Sequence, residues 1–292
     1  MRQHIWPICV LLVCGMWWGL SGCGGGASTV PKVVVRPAQE EAGSPKGNEP
    51  QAKDKTSGTE QEPVAGGVGT LRGRFIFDGE PPQLPPLVTK GNAPKDKEVC
   101  AAEMDIPDES LIVDPQTHGI KNVFIYLDRA PKGDYPKPSQ PFRFDQKNCI
   151  FTTHAMIVRV GVPVLILNSD PIAHNTHTFP RRNEALNQLL KQNDQKGVPL
   201  VYTRPESVPV EVKCDLHAWM RAFQLPLDHP FGAVSAADGS FEIRDLPSGK
   251  YAFKIWHERA VGGFLNRRFS VTVKPGENEP LEIKYQASDF GL

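Results

Sequence analysis

Short runs of apolar residues recur along the chain from residue 70 onward, and turn-forming residues separate nearly all of them. Runs of this length, bounded by Gly, Pro, Asn and Asp, are typical of β-strands. The chain also contains 28 Pro and 26 Gly, which favours strands and turns over helical bundles. We predict an all-β fold with strands at Thr70–Phe77, Asn122–Leu127, Met156–Val160, Val164–Asn168, Val208–Lys213, Phe241–Ile243, Tyr251–Trp256 and Arg268–Val273.

One segment has the periodicity of a helix. Leu186, Leu189 and Leu190 would share one face of a helix over Asn183–Gln195, and Gly197 would end it. Residues Asp78–Lys97 contain five prolines and are predicted to form an extended loop. The expected scaffold is therefore β-structure with a single helical excursion and one long loop.

The N-terminus has the pattern of an export signal. Arg2 precedes an apolar run over residues 5–20, which is too short for a comfortable membrane span. The run ends in Leu20-Ser21-Gly22-Cys23, which resembles a bacterial lipobox. The resemblance implies that residues 1–22 are removed and that Cys23 becomes the lipidated first residue, which anchors the chain to a membrane. An ordinary export signal or an N-terminal anchor helix is the alternative.

Residues 23–67 are predicted to be a disordered tether. Between Gly24 and Gly67 the chain has no aromatic residue, Leu or Ile, so it cannot bury enough apolar surface to fold. The whole chain has 33 basic and 33 acidic side chains, a balance that argues against a nucleic-acid partner. We expect a location in the cell envelope, lipid-anchored at the periplasmic face, with the outer membrane preferred.

Two stretches far apart in the sequence look like parts of one sandwich. The first part, residues 68–140, contains the strand pattern Gly69–Gly79. The second part, residues 229–292, contains Ala237–Tyr251, where a strand, a Pro-Gly turn and another strand follow one another. This pattern resembles the carboxypeptidase-regulatory or prealbumin-like domain, a seven-stranded sandwich that is usually a structural or adhesive module. Residues 141–228 would then form a domain inserted in it or joined to it.

The central segment carries residues with metal chemistry. Val208–Lys213 is followed by Cys214, His217 and Met220, so a thiolate, an imidazole and a thioether recur at spacings of three. These are ligand types that soft copper prefers. A Cys-x-x-His pair alone is more often structural, so the interpretation depends on the methionine and on a second histidine from elsewhere in the chain.

A second histidine is available upstream. The apolar strand that ends near Asn168 runs into a polar loop with His174 and His177, and either imidazole could bind a metal. A site of this kind would be trigonal, with a weak axial methionine.

Together the two segments resemble the cupredoxins, the mononuclear blue copper proteins, and particularly the plastocyanin and amicyanin branch, over roughly residues 142–227. The resemblance implies a Greek-key β-sandwich at residues 141–228. It also implies one mononuclear copper, with the ligands His174, Cys214, His217 and Met220.

The same resemblance implies supporting roles for neighbouring residues. Asn168 would close the strand before the ligand loop, and Asn175 would hydrogen-bond the backbone near Cys214 and hold the two loops together. Trp219 would be a hydrophobic lid or part of an electron route, and the lid is favoured. His177 would be a surface residue or a residue that supports the ligands.

Three cysteines remain after the N-terminal anchor. Export places the chain in an oxidising compartment, where one disulfide is expected. Because the neighbours of Cys214 point to another use for that thiol, Cys100 and Cys149 are the candidate pair.

These patterns predict an electron carrier and not an enzyme. The sequence has no Gly-x-Ser-x-Gly, no Gly-rich phosphate loop and no His-Glu-x-x-His. A cytochrome or another periplasmic redox protein would be the partner. The alternatives are a copper-binding or copper-delivery lipoprotein, an envelope structural or carbohydrate-contacting module with a vestigial site, and a zinc site at Cys214, His217 and His174.

Overall fold

The computed structural model describes residues 63–292, and over these residues the prediction of an all-β fold is confirmed. Two short 3-10 helices interrupt the strands, at Val261–Gly263 and Ala287–Phe290. The lipobox with Cys23 and most of the predicted tether lie outside the described residues. Strand β1 begins at Pro63, so the end of the predicted tether is strand. No helix in the described part is long and apolar enough to cross a membrane.

The largest sheet has seven strands, drawn from both sides of the central segment. They are β1 (Pro63–Phe77), β2 (Phe124–Leu127), β13 (Gly232–Val234), β14 (Ser240–Trp256), β15 (Asn266–Val273), β16 (Gly276–Glu277) and β17 (Leu281–Tyr285). Their order is β13-β2-β14-β1-β16, with β15 paired to β14 and β17 paired to β1. Strands before residue 141 and after residue 228 therefore share one sheet.

Strand β14 is continuous where the sequence analysis placed two strands and a Pro-Gly turn. The chain passes Asp245, which has a positive φ of 53°, without leaving the sheet. Its first half pairs with β1, and the part from Gly249 onward pairs with β15 and then with β2. The predicted turn is wrong because β1 pairs with β14 on both sides of Asp245, through a shift in register, and so keeps the backbone hydrogen-bonded within the sheet.

The central residues form two more sheets and a two-stranded pair. The five-stranded sheet contains β6 (Ala155–Arg159), β8 (His174–Phe179), β9 (Asn187–Leu190), β11 (Val210–Lys213) and β12 (Arg221–Leu227), in the order β6-β12-β11-β8-β9. The three-stranded sheet is β10-β7-β3, with bounds Val198–Leu200, Val164–Ile166 and Phe142–Phe144. The short pair is β4 (Gln146–Lys147) with β5 (Ile150–Phe151). Side chains of the five-stranded and the three-stranded sheet share one buried core.

The helix predicted over Asn183–Gln195 is wrong. This segment contains strand β9, which pairs antiparallel with β8 and aligns Leu190 with His174. Leu189 is 58% exposed whereas Leu190 is fully buried, which is the alternation of a strand and not a helical face. Pairing with β8 supplies the backbone with hydrogen-bond partners, and this overrides the local leucine spacing.

An aromatic cluster joins the seven-stranded sheet to strand β12. Phe124, Tyr126 and Trp256 from the large sheet are buried with Phe223 and Leu225 of β12. The ring centroids of Phe223 and Trp256 lie 4.9 Å apart. This contact fixes β12, which begins at the residue after Met220.

Residues 88–106, within the range expected to form the first sandwich, pack into the central core instead. Val88, Ala93 and Ile106 are buried there together with Cys100. Cys100 forms a disulfide with Cys149, which lies just before β5. The two sequence-predicted cysteines are thus joined, and this segment is covalently attached to the central domain.

Candidate metal centre

The predicted ligands lie at the ends of paired strands. His174 is the first residue of β8, which the sequence analysis had placed in a loop, and Cys214 directly follows β11. Strands β8 and β11 are antiparallel neighbours, so these strand ends meet at one edge of the sheet. Strand β11 then turns into β12 through residues 214–220, and the Cys214 N–H donates to the Met220 carbonyl at 3.3 Å. This turn brings His217 and Met220 back toward the thiol.

Three potential metal-donor atoms lie close together where these strand ends meet. The Nδ1 atoms of His174 and His217 are 2.9 Å apart, and Cys214 Sγ lies 3.9 Å from the first and 3.7 Å from the second. A point equidistant from these atoms lies about 2.1 Å from each, within the ~2.0–2.3 Å expected of metal bonds to imidazole and thiolate. The donor set therefore fits a metal ion in both chemistry and spacing.

All of the predicted ligands are buried. His174 and His217 have no exposed surface, Cys214 is 2% exposed and Met220 is 1% exposed. Met220 and Cys214 belong to the same buried core cluster. A buried site of this kind excludes water from the ligands.

Asn175 connects the two ligand-bearing segments. Its side-chain oxygen accepts the N–H groups of Asp215 at 2.7 Å and Leu216 at 3.3 Å, and it lies 3.3 Å from Cys214 Sγ. This is the contact near the cysteine that the resemblance implies for Asn175. Asn168 braces the same region, since its side-chain amide donates to the carbonyls of Ile172 and Lys191, both at 2.8 Å.

Two aspartates that the sequence analysis did not single out hold the outer nitrogens of the histidines. His174 Nε2 lies 2.7 Å from an oxygen of Asp170, and His217 Nε2 lies 2.9 Å from an oxygen of Asp96. Asp170 is four residues from its histidine, and so it is accessible to local reasoning. Asp96 is 121 residues from its histidine, and no local pattern points to it.

The hydrogen bonds shift the pKa values of the buried groups. Burial raises the pKa of Cys214, but hydrogen bonds from His174, His217 and backbone N–H groups outweigh it and lower that pKa to about 6. Burial lowers the pKa of His174, but hydrogen bonds to Asp170 and Cys214 outweigh it and raise that pKa to about 9. The pKa of Asp170 lies below its ordinary value, because His174 and two backbone N–H groups outweigh the effect of burial. The interaction between Cys214 and His174 therefore favours the thiolate form of Cys214, which is the form that binds metal.

The structure separates His177 from the ligands. Its Nδ1 lies 3.0 Å from a carboxylate oxygen of Asp215, and its side chain is 26% exposed. Its ring lies beside Phe179, with centroids 4.2 Å apart. Of the two upstream histidines, only His174 shares a donor cluster with Cys214 among the described residues.

Trp219 covers one side of His217. Their ring centroids are 5.2 Å apart, and the indole N–H donates to the Cys149 carbonyl at 2.9 Å. Beyond this ring lies a cavity of about 300 Å³ at the seam between the central domain and the large sheet. Among the residues that line it are Trp219, Met220, His154, Glu109 and Glu258.

A second group of potential donors overlaps the first. Cys149, Asp170 and His174 also lie close together, but Cys149 is bonded to Cys100 and offers no thiolate. Asp170 uses its oxygens on the N–H groups of Asn148 and Cys149 as well as on His174. This group therefore supports the first site.

No protein-family model matches the chain, and no curated protein matches it. Solved structures similar to it include two amicyanin mutants, one reduced and one in the Cu(I) form. Each has 20% identity and a TM-score of 0.27; the first covers 31% of this chain and 85% of its own, and the second covers 30% and 82%. A copper-containing nitrite reductase from Thermus scotoductus SA-01 has 15% identity and a TM-score of 0.28, with 34% of this chain and 25% of its own chain covered. The chain thus spans most of amicyanin and a quarter of the reductase.

Proposed function

We propose that the chain is an exported, lipid-anchored copper protein that binds one mononuclear copper and shuttles electrons to or from a periplasmic redox partner. The observation that carries the proposal is the triangle of His174 Nδ1, His217 Nδ1 and Cys214 Sγ, with sides of 2.9 to 3.9 Å. Bound there, copper would supply a one-electron couple between its one-plus and two-plus states.

The residues themselves prepare the site for the metal. Cys214 has a pKa of about 6, so the thiolate is available at neutral pH. Asp170 and Asp96 occupy the outer nitrogens of the two histidines, which directs both Nδ1 atoms inward. Such a preset arrangement lowers the reorganisation that accompanies a change of oxidation state. Preorganisation of this kind suits electron transfer.

A thioether favours copper over zinc as the resident metal. Met220 is buried in the core cluster that contains Cys214, and methionine is a soft ligand that suits Cu(I) and a poor ligand for zinc. Zinc at Cys214, His217 and His174 is the weaker alternative, since the three donors alone would also suit it.

Burial favours a carrier over a delivery protein. A delivery site must release its metal to a receiver, whereas both histidines here are fully buried and the thiol is 2% exposed. The copper-delivery alternative predicts fast exchange with a chelator, and the carrier predicts retention through cycles of oxidation and reduction. The remaining alternative, an envelope structural or carbohydrate-contacting module, predicts that no copper binds.

The proposed location rests on the N-terminal sequence, and the proposed partner rests on the proposed electron transfer. The lipobox-like residues Leu20 to Cys23 would place the chain in the cell envelope at the periplasmic face, with the outer membrane preferred. A cytochrome or another periplasmic redox protein is the proposed partner. We propose that the chain is an electron carrier and not an enzyme.

The test is visible absorption and electron paramagnetic resonance of the purified chain loaded with cupric ion, beside Cys214→Ser. An intense thiolate-to-copper band with narrow copper hyperfine splitting is expected in the parent and not in the variant. His177→Gln is the matched control, because His177 lies near the site without joining the donor triangle, and it should keep the band. Copper binding without that band, or no binding, would refute the carrier.

A further inference from the structure

The outer edge of His217 is covered by a distant part of the chain. The side chain has no exposed surface, and its Nε2 lies 2.9 Å from Asp96 Oδ2. Asp96 belongs to the segment 88–106, which packs into the core that surrounds the ligands. The side chain of Asp96 is 36% exposed, so this carboxylate stands between the imidazole and solvent.

The backbone at Asp96 is itself fixed. Asp96 has a positive φ of 49°, and its carbonyl accepts the N–H groups of Val99 at 2.9 Å and Cys100 at 2.8 Å. Cys100 is the residue that forms the disulfide to Cys149. The turn that presents the carboxylate to His217 is therefore closed at its other end by a covalent bond.

The disulfide is also connected to Asp170, the carboxylate that contacts the second histidine, His174. The Cys149 N–H donates to Asp170 Oδ2 at 2.8 Å, and the same oxygen lies 2.7 Å from His174 Nε2. The Cys149 carbonyl accepts the indole N–H of Trp219, whose ring lies against His217. One crosslink thus connects the groups that orient both imidazoles.

We propose that Asp96 is a positioning residue of the metal centre and that the segment 88–106, tied down by the Cys100–Cys149 disulfide, clamps the site shut over His217. The clamp rests on the proposed copper function, because it acts on the same ligands. A carboxylate on the outer nitrogen fixes the tautomer and orientation of a ligand imidazole and increases its basicity. The metal leaves only after this segment moves, so the clamp sets the rate of exchange.

A measurement without copper tests the contact itself. With Asp96 as its acceptor, His217 should carry on Nε2 a slowly exchanging proton that is visible by nitrogen-resolved NMR. In Asp96→Ala that proton should exchange faster, and in Glu98→Gln it should not change, because Glu98 is an exposed carboxylate two residues away. A His217 ring that lacks this proton on Nε2 in the parent protein would overturn the clamp, whether or not copper binds.

The metal tests compare Asp96→Asn with Glu98→Gln, which both replace a carboxylate by an amide. Copper affinity, measured by competition with a chelator, should fall about 10- to 100-fold in Asp96→Asn, with faster release. Glu98→Gln should match the parent. The thermal midpoint of the metal-free variant should stay at the parent value, which separates positioning from folding. Affinity and release equal to those of the parent would overturn the proposal.

The crosslink is tested by Cys100→Ser combined with Cys149→Ser. Faster copper release, with the thiolate-to-copper band retained, is expected, because Cys214 is untouched while the segment is freed. Unchanged release would contradict a role for the disulfide in the clamp. If the parent chain fails to form the band, the proposed copper function fails, and the NMR result on His217 still decides whether Asp96 positions the imidazole.

Discussion

The side-chain oxygen of Asn175 accepts the backbone N–H of Asp215 at 2.7 Å and so joins strand β8 to the loop that follows β11. The same oxygen lies 3.3 Å from Cys214 Sγ. A single buried amide thereby fixes the distance between the upstream histidine and the cysteine loop. Its removal leaves two backbone N–H groups without their partner.

We expect Asn175→Ala to destabilise the metal-free protein by about 1–3 kcal/mol, because buried donors lose their acceptor. The thiolate-to-copper band of the loaded protein should also broaden, because the two ligand loops are no longer held together. Denaturant unfolding and visible absorption measure the two effects. Asn187→Ala is the control, since Asn187 is exposed and its side chain bonds Asn175 Nδ2, His177 and the Asp215 carboxylate without touching the backbone N–H groups of Asp215 and Leu216. Equal stability of the two variants would contradict this role.

The ionisation of Cys214 is a second prediction. In the metal-free protein the ultraviolet absorbance of the thiolate should titrate with a midpoint of about 6, because hydrogen bonds from the histidines outweigh the effect of burial on the pKa. His174→Gln should raise the pKa of Cys214, because it removes the side chain that stabilises the thiolate most. His177→Gln should leave the midpoint in place, since His177 is bonded to Asp215. A midpoint near that of a free thiol in the parent protein would refute the prediction.

The variant Met220→Leu distinguishes a role of Met220 as an axial metal ligand from its role in core packing. Leucine conserves volume, so the free energy of unfolding of the metal-free protein should change by less than about 1.5 kcal/mol. Copper should still bind through the triangle of His174, His217 and Cys214, but the reduction potential should shift, since the axial ligand tunes the couple. Redox titration of parent and variant measures this. An identical potential would show that Met220 only fills the core.

A buried histidine outside the site makes stability depend on pH. His257 is 1% exposed, and burial, together with the nearby His154, lowers its pKa from 6.5 to about 3. Between pH 6.5 and about 3 the unfolded chain binds a proton that the folded chain does not. The contribution of His257 to the free energy of unfolding is therefore fully present above pH 6.5 and is lost as the pH falls toward 3.

This one group should contribute a loss of about 1.4 kcal/mol per pH unit within that window. Denaturant unfolding at a series of pH values, in the parent and in His257→Gln, measures the contribution. Within this window the slope of the free energy of unfolding against pH should be smaller in the variant by about 1.4 kcal/mol per pH unit, which corresponds to one bound proton. Parallel curves would show that His257 takes up its proton without unfolding.

The sequence by itself determined the class of fold and the ligand loop. Apolar runs separated by Pro and Gly indicate strands wherever they occur, because one face of each must be buried. The spacing of Cys214, His217 and Met220 falls within seven residues, so a single turn between β11 and β12 is enough to gather them. Local chemistry of this kind can be read from the sequence.

Only the tertiary structure decided which strands replaced the expected helix and turn. Leu186, Leu189 and Leu190 have helical spacing, yet pairing with β8 makes their segment a strand. Residues Pro247 to Gly249 have the composition of a turn, yet pairing with β1 and then with β15 keeps β14 continuous. In both places, backbone hydrogen bonds to neighbouring strands outweigh a weak local preference.

The tertiary structure also decided which carboxylate lies against His217. Asp96 reaches His217 across 121 residues, and the segment that carries it packs with the central domain although the sequence analysis assigned it to the first sandwich. A hydrogen bond between two side chains leaves no periodic trace in the sequence, because it depends on where the folded backbone brings each residue. The grouping of Cys214, His217 and Met220 was therefore predictable from local spacing, whereas the carboxylate that lies against His217 depended on long-range packing.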